Sequence, residues 1–330
     1  MAAETATPSS GSGQREPNHG LRIFVIWVVL AVIGNLLLWF VLGPHMPPGR
    51  LASAAAGEQF DINVLAQFAA PVLVGVLVYF SYALIVWRRR DGDATDGPAI
   101  HGNTRVQAVW ITLTSAIVLG MAAFGTYELI VPYGSGAGEG PAPIWNPPGA
   151  KLTVASQQGA WSPGQVLVVQ VIGQQWKFTY RYPQFGGFET TALVLPDNTW
   201  VQFNVTSIDV IHSFWAYQLG VKADANPSVN NVAYTKTLQL GKITVRCAEL
   251  CGLWHGAMFD YGKVVPVSQF QSWASSTQTQ LASVTTLLPP YEPTYDPTQI
   301  PLLKLSPVLQ KLGVTGAGGG YYPPQDPSQP

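Results

Sequence analysis

Residues 242–267 read KITVRCAELCGLWHGAMFDYGKVVPV, and this stretch decides how the second half of the chain folds. It begins and ends with runs rich in β-branched and aromatic residues, KITVRCAEL and FDYGKVVPV, which are typical of β-strands. Cys247 lies near the end of the first run, and Cys251, His255 and Met258 lie between the two runs. The stretch therefore predicts two strands joined by a loop of potential metal ligands.

Similar short runs fill the chain from residue 151 to residue 268, separated by Pro, Gly, Asn and Asp. They are KLTVAS, QVLVVQVIG, WKFTYRY, TALVLP, TWVQFNVTS and NVAYTKTLQL. Short strands with frequent turn residues predict an all-β sandwich or barrel over 151–268. Residues 269–330 are predicted to form a C-terminal helix followed by a Pro-rich tail.

The first half of the chain carries three uncharged apolar runs, each long enough to cross a bilayer as a helix. They predict helices at about 21–43, 66–88 and 105–128, within a transmembrane region spanning 21–131. Residues 1–20 are polar and rich in Ser, Pro and Gly, which predicts a disordered N-terminus. The Gly- and Pro-rich residues 132–150 predict a linker. The expected fold class is thus a membrane-anchored all-β protein.

The composition of the 330 residues agrees with a membrane protein. Charged residues are 11% of the chain, well below the roughly 25% of soluble proteins, and 47% of the residues are apolar. Lys plus Arg number 17 and Asp plus Glu number 18, so the formal net charge is −1. This balance excludes a basic surface for nucleic acid, and no nucleic-acid partner is expected.

The basic residues predict the orientation of the membrane helices. Residues 88–90 are three arginines, and Arg105 lies at the other end of the same loop, which places this loop in the cytoplasm. The β domain then lies outside. The first apolar run has a second interpretation, as a secretory signal with Arg22 as its charged flank and Ala52-Ser53-Ala54 (residues 52–54) as its cleavage site.

The soft and imidazole ligands of the β domain form a short set. His212 lies on a different predicted strand from the four ligands of the loop. Thiolate, imidazole and thioether together favour copper, and two thiolates can bridge two copper ions. Three alternatives stay open: a zinc site of two Cys and two His, a disulfide between Cys247 and Cys251, and a Cys/His nucleophile.

Four segments together resemble a known family. They are HGNTRVQAVW (101–110), GQQWKFTYRYP (173–183), SIDVIHSFWAYQLGVKADA (207–225) and CAELCGLWHGAM (247–258). They are similar to subunit II of the haem-copper oxygen reductases that oxidise cytochrome c. The resemblance implies a cupredoxin-like Greek-key barrel or sandwich after two core transmembrane helices, with one additional N-terminal helix or signal.

The same resemblance implies a dinuclear copper centre, called CuA, and its ligands. Cys247 and Cys251 would bridge the two coppers. His212 and Met258 would complete one of them, and His255 and the backbone carbonyl of Glu249 the other. The side chain of Glu249 would reach a magnesium ion at the interface with the catalytic subunit.

The resemblance further implies a function and partners. The chain would accept electrons from cytochrome c, or from a c-type cytochrome domain, through Trp176. It would pass them to the catalytic subunit I, which reduces oxygen to water with proton pumping. The chain would also contact other oxidase subunits.

We expect the chain in the plasma membrane of a prokaryote as a multi-pass protein, with its copper domain on the outer face. The alternatives are a membrane-anchored copper assembly or storage protein and a quinol-oxidising relative.

Two expectations concern the surroundings of the copper ligands. Leu253, Trp254 and Phe259 are expected to form an apolar shell that keeps water from the metal. Asp209 is expected among the carboxylates that meet a basic cytochrome.

Overall fold

The computed structural model describes residues 18–88, 102–130 and 160–288. Several predictions lie outside the described residues: most of the arginine loop, the linker at 132–150, the strand KLTVAS and the Pro-rich tail after residue 288. Of the N-terminus predicted to be disordered over 1–20, residues 1–17 also lie outside them, whereas residues 19 and 20 already belong to a helix.

Three long helices occupy the first part of the chain. α1 is His19–Leu37, α2 is Ser53–Val86 and α3 is Thr104–Ile130. α1 continues as a π-helical turn, Leu38–Leu42, and a 3₁₀ turn, Gly43–His45. All three are long and apolar enough to cross a membrane. α2 begins thirteen residues before its predicted start at 66, because its first turns mix helix-forming alanines with polar and charged residues and so interrupt the uncharged apolar run from which the start was predicted.

The chain forms two compact units, and the division falls within α2. One unit holds α1 and the part of α2 from Val64 onward. The other holds residues 44–63, α3 and the β domain. The start of α2 therefore belongs with the β domain.

In the first unit, polar groups hold α1 against α2. The indole nitrogen of Trp27 donates to the carbonyl oxygen of Pro71 at 2.8 Å, and Nδ1 of His19 lies 2.7 Å from the hydroxyl of Tyr82. A Cβ atom on Gly75 would lie 3.2 Å from the same indole nitrogen, so this glycine makes room for the tryptophan. Hydrogen bonds between apolar helices stabilise their packing where water is absent.

The β domain consists of ten strands in two sheets. The strands are β1 Leu167–Gln174, β2 Lys177–Tyr182, β3 Phe188–Thr190, β4 Leu193–Pro196, β5 Trp200–Ser207, β6 His212–Ala216, β7 Val221–Ala225, β8 Asn231–Lys236, β9 Gly241–Cys247 and β10 Phe259–Val265. One sheet has the order β3-β2-β1-β5-β8, and the other has the order β4-β10-β9-β6-β7. The pairs β1–β5 and β10–β4 are parallel and the rest are antiparallel.

Aromatic side chains fill the space between the sheets. Phe178, Tyr180, Phe203 and Phe214 are fully buried, and Phe214 contacts the other three rings at centroid distances of 5.3 to 6.3 Å. Aromatic rings bury large apolar areas and so dominate the stability of such cores. This core lies directly beneath the end of the domain where β6 begins and β9 ends.

A C-terminal helix closes the other end of the domain. α4 is Val267–Gln280, and a single further turn, α5, is Ala282–Thr285. Phe270 and Ala274 of α4 are fully buried, and the Phe270 ring lies 5.5 Å from that of Trp161. The backbone nitrogen of Val267 donates to Asp197 at 3.0 Å, which satisfies one free N–H at the helix start.

Residues 51–55, which we call the anchor segment, pair with the β domain just before and within the first turn of α2. The carbonyl oxygen of Leu51 accepts from the backbone nitrogen of Leu238 at 2.8 Å, and Ala52 forms a β-bridge with Thr237. The hydroxyl of Ser53 accepts from the backbone nitrogen of Lys236 at 3.0 Å. Alanines 52, 54 and 55 are fully buried. The cleavage site of the secretory-signal interpretation thus lies inside packed structure.

Candidate metal centre

The candidate metal centre forms where β6 and β9 meet. The two strands pair with Phe214 opposite Cys247, which brings His212, at the start of β6, beside the end of β9. The loop between β9 and β10 carries Cys251 and a 3₁₀ turn that begins at His255. The backbone nitrogen of Cys247 donates to the carbonyl oxygen of Met258 at 3.0 Å, which closes this loop at its base.

The five predicted side-chain ligands converge where this loop meets the start of β6. Cys247 Sγ lies 3.7 Å from Cys251 Sγ and 3.8 Å from Nδ1 of His212. Cys251 Sγ lies 3.5 Å from Nδ1 of His255 and 3.7 Å from Sδ of Met258. Ligand atoms of His212, Cys247 and Cys251 all lie within 4.8 Å of one another. Two thiols, two imidazoles and a thioether form a soft ligand set, which suits copper better than magnesium or calcium.

The two cysteines are buried, are not bonded to each other and differ in acidity. Burial by itself would raise the pKa of Cys247, but its hydrogen bonds with His212, with the backbone of Ser213 and Glu249 and with Cys251 together outweigh burial and lower the pKa to about 6. Burial raises the pKa of Cys251, and the neighbouring Cys247 thiolate raises it further, to about 12. The pair therefore holds one thiolate and one thiol at neutral pH, since two adjacent negative charges repel each other.

His212 is enclosed and carries a partner on each ring nitrogen. Its side chain is 0% exposed, and its Nε2 lies 2.9 Å from Oδ1 of Asp209. Burial would lower the pKa of His212, but its hydrogen bonds to Asp209 and Cys247 and the negative charges of these two groups together raise it above the ordinary value. A Cβ on Gly173 of β1 would lie 2.9 Å from the imidazole, so only glycine leaves room for the ring.

Trp176 lies in the turn between β1 and β2 and contacts the ligand loop. Its indole nitrogen donates to the carbonyl oxygen of Cys251 at 3.2 Å, and Nε2 of Gln175 donates to the same oxygen at 2.8 Å. Gly252 has φ of +115°, and a Cβ there would lie 2.9 Å from Nε2 of Gln175. The ligand loop is therefore held by two side chains from the opposite sheet.

The structure places Glu249 and the expected apolar shell at the surface. The carbonyl oxygen of Glu249 lies 3.1 Å from Cys247 Sγ, while its side chain is exposed. Leu253 is 84% exposed, so the prediction that it shields the metal is wrong: the tight turn at Gly252 directs it outward. Trp254 and Phe259 are only partly buried. The shielding comes instead from rings of the core, such as Phe178, 6.2 Å from the imidazole of His212.

The contacts of Asp209 and Gln175 with the centre were not predicted from the sequence. Asp209 was expected on a docking surface, and Gln175 was not singled out. A carboxylate three residues before a ligand histidine was the available signal for Asp209, because metal-binding histidines commonly donate their second N–H to a carboxylate.

Comparisons with known proteins identify the family. Residues 188–261 match the family described as cytochrome c oxidase subunit II, periplasmic domain, and residues 45–129 match the transmembrane domain of the same subunit. The chain belongs to the cytochrome c oxidase subunit II family. The match confirms the predicted family and fold class. It also confirms the predicted enzyme, since subunits of this family are components of cytochrome c oxidase.

Relatives in this family span most of the chain. It is 28% identical over 286 residues to cytochrome c oxidase subunit 2 of Thermostichus vulcanus, covering 77% of this chain and 85% of the relative. It is 27% identical over 314 residues to the same subunit of Synechocystis sp., covering 88% and 91%. It is 32% identical to the crystallised periplasmic domain of subunit II of Bradyrhizobium japonicum, covering 34% of this chain and 94% of that domain, with a TM-score of 0.34.

Proposed function

We propose that this subunit II accepts electrons at a dinuclear copper centre outside the membrane. It would receive them from cytochrome c, or from a c-type cytochrome domain, and pass them to the catalytic subunit I, which reduces oxygen to water with proton pumping. The observation that carries the proposal is the convergence of two free thiols, two imidazoles and a thioether at the end of β9.

The resemblance to the family divides the ligands of the proposed centre between two metal positions. Cys247 and Cys251 would bridge both ions, since their sulfur atoms face each other at 3.7 Å. His212 and Met258 would complete one position, and His255 with the carbonyl of Glu249 the other. When bound, the two coppers supply a carrier for one electron. The protein's part is to hold the ligands rigidly, with both thiols and the thioether buried beneath the loop.

Trp176 is the proposed point at which electrons reach the centre. Its indole is half-buried, so one side packs against the core while the rest faces solvent. The hydrogen bond to the carbonyl of Cys251 joins this indole directly to a copper ligand. A donor that contacts the exposed part of the ring would thus be one side chain away from the metal.

The anchor segment supports a β domain on the outer face. Ser53, the first residue of α2, bonds to Lys236 of the β domain. If α2 crosses the membrane, the β domain would therefore lie on the side where α2 begins, and α2 ends just before the arginines at 88–90. Because arginine-rich loops stay in the cytoplasm, the start of α2 and the copper domain would lie outside.

The proposal includes a magnesium ion bound by the side chain of Glu249 at the interface with subunit I. The exposed side chain of Glu249 is free to meet a partner subunit, but it joins no cluster of metal-ligating side chains in the described part of the chain. Its remaining ligands would come from subunit I.

Electron paramagnetic resonance of the purified, copper-loaded full chain tests the proposal. We expect one unpaired electron shared by two equivalent copper nuclei, and metal analysis should give two coppers per chain, as the two positions require. Cys251→Ser should remove the shared signal, because one bridging thiolate is lost. A spectrum from a single copper in the native chain, or retention of zinc in place of copper, would refute the proposal.

A further inference from the structure

We propose that Asp209 is a positioning residue of the metal centre: it orients the imidazole of His212 and ties it to the turn that carries Trp176. The inference deepens the proposed function and rests on it. One carboxylate would hold both the copper ligand His212 and the turn through which electrons arrive at Trp176. It replaces the expectation that Asp209 serves only to attract a basic partner.

The first step is the choice of ring nitrogen in His212. Oδ1 of Asp209 lies 2.9 Å from Nε2 of His212. A carboxylate can only accept a hydrogen bond, so Nε2 carries a proton, and in the neutral imidazole Nδ1 is the nitrogen left with its lone pair. Nδ1 is the nitrogen that faces Cys247 Sγ, at 3.8 Å. Asp209 therefore presents to the metal the one nitrogen that points at the bridging sulfur.

The second step is the other carboxylate oxygen. Oδ2 of Asp209 accepts from the backbone nitrogen of Gln175 at 2.7 Å. Gln175 and Trp176 in turn donate to the carbonyl oxygen of Cys251. A continuous set of hydrogen bonds thus joins His212 to Cys251 through Asp209 and the β1–β2 turn, independently of any metal.

The third step is that Asp209 is itself held in place. The backbone nitrogen of Val210 donates to its Oδ1 at 2.6 Å, and the hydroxyl of Ser207 lies 3.3 Å from the same oxygen. The side chain is 32% exposed, so part of the carboxylate meets solvent. Its orientation is nevertheless determined, because four groups from three segments contact two oxygen atoms.

The two histidines of the centre consequently differ in their hydrogen-bond partners and in their exposure to solvent. His255 is partly exposed, and within the described residues no carboxylate pairs with its imidazole. A carboxylate partner makes an imidazole a more basic ligand, which favours the oxidised over the reduced metal. Asp209 should therefore lower the reduction potential of the centre through His212, and no described carboxylate acts in this way through His255.

The test is Asp209→Asn in the copper-loaded full chain. The amide oxygen can still accept from Nε2, but the charge is lost and the amide nitrogen cannot accept from Gln175. We expect the two-copper spectrum to persist while the reduction potential rises. Glu189→Gln is the matched control, because it removes one carboxylate charge from β3 of the other sheet. A potential equal to that of the native chain, or an equal rise in both variants, would overturn the inference.

A second measurement needs no variant and no metal. In ¹⁵N nuclear magnetic resonance of the metal-free native chain at alkaline pH, where imidazoles are neutral, His212 should be the tautomer protonated at Nε2. A proton on Nδ1 would contradict the inference even if Asp209→Asn failed to hold copper. Absence of a two-copper spectrum in the native chain, with His212 protonated at Nε2, would instead refute the proposed function and leave the positioning by Asp209 standing.

Discussion

The indole nitrogen of Trp176 lies 3.2 Å from the carbonyl oxygen of Cys251, so a half-buried aromatic ring of one sheet is hydrogen-bonded to a residue of the candidate metal centre. The same carbonyl also accepts from Gln175. The turn between β1 and β2 therefore contacts the loop between β9 and β10 through two hydrogen bonds.

Trp176→Phe should slow reduction of the subunit by its donor cytochrome at least about tenfold, equivalent to ~1.4 kcal/mol in the barrier. Phenylalanine keeps an aromatic ring but has no N–H to donate to Cys251. Stopped-flow reduction measures the effect, and the copper spectrum should not change. Trp161→Phe is the control, because Trp161 also donates to a carbonyl, that of Gln165, but lies against the C-terminal helix. Equal rates in both variants would show that electrons arrive elsewhere.

Gly252→Ala should loosen the ligand loop and weaken copper retention. The new methyl would press on Gln175 and Trp176, and φ of +115° is strained for alanine, at a cost of about 1–3 kcal/mol. Loss of copper to a chelator, followed spectroscopically, should be faster. Gly256→Ala in the same loop is the control, since its Cβ would meet nothing within 4 Å. If both variants keep copper equally well, contact with the turn does not hold the loop.

Copper binding to the metal-free chain should release about one proton from the two cysteines at pH 7 to 8, because Cys251 is still a thiol while Cys247 is already a thiolate. Chains in which His212 is charged should release a further proton from Nδ1, since the pKa of this imidazole is raised. As the pH falls through about 6, Cys247 also becomes protonated. A second proton must then leave on binding, so the apparent affinity should drop more steeply with decreasing pH. Calorimetric titrations in buffers of different ionisation enthalpy measure the proton count. Release that is constant from pH 5 to 8 would show that the thiols do not differ in acidity.

Gly220→Ala should destabilise the β domain by detaching the anchor segment. Gly220 has φ of +64°, and a Cβ there would clash with the backbone of Ala54 and Ala55. We expect a loss of about 1–3 kcal/mol in the free energy of unfolding. Gly164→Ala separates strain from contact, because Gly164 also has a positive φ, +92°, but open space around it. A similar loss in both variants would assign the effect to strain alone.

The N-terminal helix should remain in the mature protein. Signal peptidase needs an extended, accessible segment, whereas Ala52 and Ala54 are fully buried against the β domain and Trp27 is bonded to α2. Mass spectrometry of the protein purified from membranes should detect peptides of α1. A mature chain that begins at residue 55 would contradict this.

Much of the fold followed from local sequence patterns. The apolar runs marked three membrane helices, since only a helix satisfies its own backbone groups in lipid. The start of α2 was missed because polar and charged residues interrupt the apolar run in its first turns. The exposure of Leu253 was missed because spacing alone does not tell which way a residue leaves a tight turn at Gly252.

The residues at 247–258 determined by themselves which ligand types the chain offers and at what intervals, since chemical identity and spacing are properties of the sequence. The meeting of His212 with Cys247, 35 residues away, depended on the pairing of β6 with β9. The bonds of Asp209 to His212 and of Trp176 to Cys251 likewise join separate segments. Only the tertiary structure decided these, because the alignment of strands from distant parts of the chain is set by packing of the whole core and not by any local pattern.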